Sequence, residues 1–187
     1  MHNKKKLEAL EDVTQPHTVK KPYVVLISHC RMDKPYVLEV VNLIEDMGIP
    51  EEMIVCTSVP RLGIPNNERI YDFLKHKFVD CELHVIYLLS ENYFKSVACL
   101  NEMGAAWVVG AAHTAILLPG FGFENIEGCL DPSEVGISLS EEDEMLKYRL
   151  NQLKSQLLRE SLMPEPTYSK WKRYRDSFIK NIKALSI

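Results

Sequence analysis

Glu102 is the residue in this 187-residue chain whose surroundings best suit it to chemistry. It closes the run Ser96-Val97-Ala98-Cys99-Leu100-Asn101-Glu102, which follows an apolar stretch ending in Leu88-Leu89-Ser90 and leads into a small-residue segment. That order reads as the first two turns of a helix leaving a buried strand. Near the start of an otherwise apolar helix the backbone dipole favours the ionised carboxylate, and the strand end should set it beside a crevice. The plainer reading is a helix acid that only complements the dipole, worth about 0.3 to 1 kcal/mol.

Other candidates gather around it. Cys99 shares its helix face three residues earlier. With no histidine near it in sequence, a buried inert thiol is a simpler reading than a nucleophile. Ser96 reads as a helix cap or loop donor rather than a nucleophile. His29 stands at the exit of the apolar run Tyr23 to Ile27, where it either lines a site or packs the strand end, and Arg31 either reaches a ligand phosphate or is solvated. The six histidines are scattered, with no His-Glu-x-x-His and no close cysteine pairs, so no metal site is expected. No Gly-x-Gly-x-x-Gly follows the first strand and no phosphate-loop motif occurs, which removes an ordinary dehydrogenase or ATPase from consideration.

The elements that must position these residues alternate along the chain. Short apolar runs at Tyr23 to Ile27, Met53 to Thr57, Leu83 to Leu89, Thr114 to Leu118 and Val135 to Leu139 read as five strands. Helices are expected between them: one opened by Pro35 and stopped at Gly48, one capped by Asn66 or Asn67, and one from 97 to 111 after a turn at Asn92 to Lys95. Ser140, followed by Glu141, Glu142 and Asp143, predicts a capped helix with Leu146, Leu150, Leu153 and Leu157 as its stripe, ended by Pro164 and Pro166. A last helix from Tyr168 to Leu185 lines up Trp171, Tyr174, Phe178, Ile182 and Leu185. Strands alternating with helices predict an α/β fold with one doubly wound, five-stranded parallel sheet, flavodoxin-like order 2-1-3-4-5, and a C-terminal helical extension. The corresponding units are an N-terminal tether over 1–21, the domain over 22–162 and a C-terminal helix packing on it over 163–187.

Composition bounds the setting. A chain that is 46% hydrophobic and 26% charged has enough apolar material for one layered core. A formal charge of -4 gives no general attraction to nucleic acid or an anionic membrane, and no apolar segment approaches the roughly 20 residues that span a bilayer. Five cysteines without paired spacing, and no signal-like hydrophobic region, predict a reduced, cytoplasmic protein.

Taken in order, Ser28-His29 closing the first strand, Asp33 after it, Leu89-Ser90-Glu91-Asn92-Tyr93 leaving the third, and Ser96-x-x-Cys99-x-x-Glu102 resemble the bacterial Toll/interleukin receptor (TIR) domains over about residues 20 to 160. The resemblance implies that Glu102 serves cleavage of the nicotinamide bond of NAD, as substrate rather than cofactor. It also implies that Ser28, His29, Arg31, Asp33, Ser96 and Cys99 lie near the ligand. Catalytic members commonly supply an aromatic ring from the first loop, which Cys30-Arg31-Met32 lacks, so stacking is expected from Tyr36, Phe121, Phe123 or a second subunit. The loop Ser58 to Pro65 resembles the family's interaction loop, and Val59, Leu62 and Ile64 are expected to pack against self or a partner.

The leading expectation is an NAD glycohydrolase or cyclase in anti-phage defence, acting by NAD depletion or by a nucleotide signal read by a separate effector. The alternative is a non-catalytic TIR interaction module. A third possibility, another kind of nucleotide-processing α/β enzyme, applies if Glu102 is buried away from any pocket.

Overall fold

The computed structural model of the protein describes residues 20–65, 68–133 and 136–186. Almost all of the expected tether, the Asn66/Asn67 cap and the first residue of the fifth strand lie outside the described residues.

The strands are β1 (Tyr23–His29), β2 (Ile54–Val55), β3 (Glu82–Leu89), β4 (Ala112–Leu117) and β5 (Ile137–Ser138). They form one parallel sheet in the order β2-β1-β3-β4-β5, the doubly wound, flavodoxin-like arrangement expected from the alternation. The helices are α1 (Lys34–Met47), α2 (Ile70–Asp80), the single turn α3 (Glu91–Phe94), α4 (Val97–Val108), α5 (Asp143–Ser161) and α6 (Tyr168–Leu185).

Strand alternation sorts the core into two layers. Val25, Ile27, Ile86, Leu88 and Ile116 face α1, α5 and α6, while Val24, Leu26, Val85, Tyr87 and Leu117 face α2 and α4. β1 and β3 are apolar on both faces because helices cover both. The C-terminal helix shares the first layer, burying Trp171, Phe178, Ile179 and Ile182. Trp171 donates its indole N–H to Asn151 at 2.7 Å.

Several boundaries differ from the sequence expectation for local reasons. β2 shrinks to two residues because Glu51–Met53 form a 3-10 turn and the Cys56 N–H turns away to the Leu62 carbonyl. α1 stops at Gly48, whose φ of +105° suits a glycine and lets its N–H cap the last turn. Ser140 does not cap α5. The helix begins at Asp143 with Glu142 in the cap position, and the first helical bond runs from the Leu146 N–H to the Glu142 carbonyl. The acids therefore occupy the first turn while the serine stays in the preceding one. Among the described residues, no helix is long and apolar enough to cross a membrane.

Candidate functional site

Ser28 and His29 are neighbours in sequence and end on opposite sides of the sheet, because successive side chains of a strand point to opposite faces. Ser28, 1% exposed, turns toward α3 and α4. Its hydroxyl donates to Glu102 Oε2 at 2.8 Å and lies 2.9 Å from the Tyr93 hydroxyl. β1 and β3 are adjacent, so the helix that follows β3 carries Glu102 back over the C-terminal end of β1.

His29 faces the α1 side. Its Nδ1 sits 2.9 Å from the Ile27 carbonyl, which can only accept, so Nδ1 carries the proton and Nε2 accepts from the Ser58 hydroxyl at 2.7 Å. Burial lowers the histidine's pKa, against the opposing pull of the Ile27 carbonyl and Asp33, and keeps it in this neutral tautomer near pH 7. The His29 main chain still reaches the Glu102 side, since its carbonyl accepts from the Cys99 thiol at 3.4 Å.

Asp33 is buried and bridges two loops. It accepts from the Ser90 hydroxyl at 2.6 Å and the Asn92 amide at 2.7 Å, fixing the first loop against the exit of β3. This engagement explains why it makes no side-chain cap on α1, although it stands at that helix's cap position. Ser96 caps α4 by accepting from the Cys99 N–H at 3.4 Å. Cys99 is 4% exposed, and burial pushes its thiol up to about 11, the reverse of what an attacking thiolate needs. Arg31 is exposed at the first loop.

Glu102 itself is in the second turn of α4, beyond the first turn where the dipole acts most strongly. Burial raises its pKa and the Ser28 hydrogen bond only partly opposes this, which corrects the expectation that the dipole would hold it ionised. A 270 Å³ cleft runs between α2 and α4, lined by Tyr71, Leu74, Lys75, Phe78 and Ala105 as well as Glu102. The structure therefore joins Ser28, Cys99 and Glu102 in one cluster, and places Asp33 at its rim, the His29 ring on the other face and Arg31 in solvent. Tyr93, Ser90 and Asn92, quoted in the sequence as a motif leaving the third strand but given no site role, complete the polar network with Ser58. Ser90 also caps α3, accepting from the Tyr93 N–H at 3.1 Å.

Two of the candidate stacking rings are already engaged. Tyr36 donates to the Leu185 carbonyl at 3.2 Å, and Phe121 is buried in a near-parallel stack on Phe94 with centroids 5.5 Å apart. Phe123 is half-buried.

In the loop after β2, Val59 and Leu62 are buried in the chain's own core, and Ile64 is half-buried against the other layer. Arg61 pins the loop through a two-pronged pair with Glu45 and a second contact to Glu51 at 3.5 Å. All five cysteines are free thiols. Among the described residues, no group of three or more His, Cys, Asp or Glu is placed to hold a metal ion.

No protein-family model matches the chain. It is 39% identical over 162 residues to the uncharacterized protein YddK of Bacillus subtilis (strain 168), an alignment covering 85% of this chain. The chain spans 57% of the length of that relative.

Proposed function

We propose that the chain is a TIR-type enzyme that cleaves the bond between nicotinamide and ribose in NAD, with Glu102 as its catalytic carboxylate. The observation that carries this reading is the position of Glu102, oriented by Ser28 at the C-terminal edge of a doubly wound parallel sheet and bordering an apolar cleft.

One carboxylate is enough for this bond. The nicotinamide ring nitrogen is already cationic, so when the C1′–N bond breaks its electron pair neutralises the ring and no general acid is required. Positive charge then develops on the ribose, where a fixed anion in a water-poor site stabilises it. Capture by water gives linear ADP-ribose and releases a proton to solvent, while capture by an internal nucleophile gives a cyclic product. Because the reaction uses the ionised form and burial raises the Glu102 pKa, activity rises with pH through a limb above the ordinary carboxylate range.

The same reading assigns the protein to anti-phage defence, through NAD depletion or a nucleotide signal to a separate effector, with self-association through the 58–65 loop. Ile64 is the residue of that loop with apolar surface left to offer, since Val59 and Leu62 are buried. The deciding experiment incubates purified protein with NAD, alone and with extract of phage-infected cells, and resolves every adenine-containing product by mass. Nicotinamide release with a matching ADP-ribose species supports the reading, and intact NAD under both conditions overturns it.

A specific surface favours the second reading, a non-catalytic interaction module. Val97, Trp107 and Val108 on α4 are 73%, 66% and 74% exposed. Tyr71 and Val79 on the neighbouring α2 are 65% and 55% exposed. An apolar surface of this kind marks an association site. Partner capture that survives Glu102→Gln, together with intact NAD, selects that alternative.

A further inference from the structure

Near Glu102, two buried hydroxyls each carry one proton. Ser28 Oγ lies 2.8 Å from Glu102 Oε2 and 2.9 Å from the Tyr93 hydroxyl, which in turn lies 3.2 Å from the Cys99 carbonyl. A charged carboxylate only accepts, so the Ser28 proton must point to Glu102. The contact between Ser28 and Tyr93 can then be made only by the phenol proton, leaving the longer contact to the Cys99 carbonyl as the weaker branch. The Tyr93 side chain is fully buried, and burial raises its pKa far enough that the phenol keeps that proton throughout the working range.

The ring has little freedom to leave this position. The Tyr93 N–H is held by Ser90 at 3.1 Å. The ring also packs edge-on against Tyr87, with centroids 6.3 Å apart and planes at 83°.

We propose that Tyr93 is a positioning residue, commits the Ser28 proton to Glu102, and completes a donor chain from Tyr93 through Ser28 to the carboxylate that selectively stabilises its charged form. The inference rests on the reading of Glu102 as the working carboxylate and adds the group that orients it. A hydrogen bond to an ionised acceptor is roughly twice as strong as one to a neutral acceptor, and aligned hydroxyls reinforce one another. Deleting the phenol oxygen therefore takes more from charged Glu102 than from the protonated acid.

The groups facing the carboxylate leave the sign unambiguous. β1 contributes Ser28, β3 Tyr87, α3 Tyr93 and α4 Cys99, while α2 brings Tyr71 and Lys75 to the cleft. Burial raises the Tyr87 and Tyr93 phenols and the Cys99 thiol, so these neighbours stay neutral while Glu102 titrates and do not reverse the expected shift.

The test reads Glu102 directly by carbon-13 NMR of side-chain carboxyls in glutamate-labelled protein, with Glu102→Gln assigning the resonance. In Tyr93→Phe, which keeps the ring and removes the hydroxyl, the Glu102 midpoint moves up by about half a pH unit or more. In Ser28→Ala it moves further, and the double variant matches Ser28→Ala because the tyrosine acts through the serine. The acid limb of nicotinamide release moves with the midpoint, while KM for NAD stays within about two-fold.

An unchanged midpoint in folded Tyr93→Phe overturns the proposal, as does a double variant in which the two effects simply add. If Tyr93→Phe fails to fold, 3-fluorotyrosine incorporated throughout the parent keeps the hydroxyl and strengthens it as a donor. The Glu102 midpoint then moves down, and its failure to move overturns the proposal. The NMR titration needs no substrate, so an intact proton chain in a protein that leaves NAD untouched would refute the NAD reading alone.

Discussion

Two partly buried glutamates, one at each end of the sheet, lie within reach of tyrosine and hydroxyl groups and titrate in opposite directions. At the N-terminal end Glu160 accepts from Tyr23 at 2.9 Å and Gln156 at 2.9 Å, and meets His84 Nδ1 at 2.7 Å. Burial works against its charge, but hydrogen bonds from His84, Gln156 and Tyr23 outweigh it and hold the carboxyl down at about 2. At the C-terminal end Glu102 has Ser28 as its partner, burial prevails, and the pKa rises. A carboxylate surrounded by donors holds the fold together. One with a single side-chain donor among the described residues, in a residue that borders an open cleft, keeps acceptor capacity for a ligand.

Glu102→Gln gives the largest expected effect. The amide keeps the size of the side chain but cannot offset charge developing on ribose, so nicotinamide release falls at least ~100-fold, as when one preorganised group costing ~2.7 to 4 kcal/mol is lost. Cys99→Ser provides the contrast and retains most turnover, since that thiol is buried and raised. Initial-rate assays on protein of verified fold decide both, and parent-like turnover by Glu102→Gln would remove the distinction between the two carboxylates.

The reciprocal substitution is smaller and falls on stability. Glu160→Gln removes the charge that gathers His84, Tyr23 and Gln156, and hydrogen bonds to charged groups contribute about 1.5 to 3 kcal/mol. Urea unfolding should show a loss of that order, with catalytic rates in the folded fraction unchanged. A comparable loss of turnover would mean that the two ends of the sheet are coupled.

The sequence made one of these carboxylates legible and hid the other. Glu102 stood out because it breaks an apolar helix after the longest apolar strand, and the five strands were visible as short apolar runs. Glu160, near the end of a leucine-striped helix, carried no signal of its own, because its partners Tyr23 and His84 lie 137 and 76 residues away. The same distance hid the ties from Asp33 to Ser90 and Asn92.

The opposite directions of Ser28 and His29 were readable in principle from strand alternation, yet a motif that names both as ligand neighbours points the other way. Val59 and Leu62 looked costly as exposed loop residues. They are buried because the loop turns back on itself, with the Leu62 N–H bonded to the Val59 carbonyl and the Leu62 carbonyl receiving the Cys56 N–H.

The smallest effect lies in the pH dependence of stability, where the two carboxylates should diverge in sign. Glu160 is held below its ordinary value of 4.5, so its stabilisation is present above that value and is lost as pH falls toward about 2. Glu102 is raised, so the folded protein favours its protonated form. Its contribution is fully present below the ordinary carboxylate value and is lost as pH rises through the folded-state midpoint. Urea-derived stability of Glu102→Gln relative to the parent should therefore improve as pH rises from 4 to 8, while the deficit of Glu160→Gln shrinks as pH falls from 4 to 2. If Glu102→Gln instead loses ground with rising pH, charged Glu102 is stabilised in the fold by more than Ser28, and its assignment as a carboxylate left available for ligand would fail.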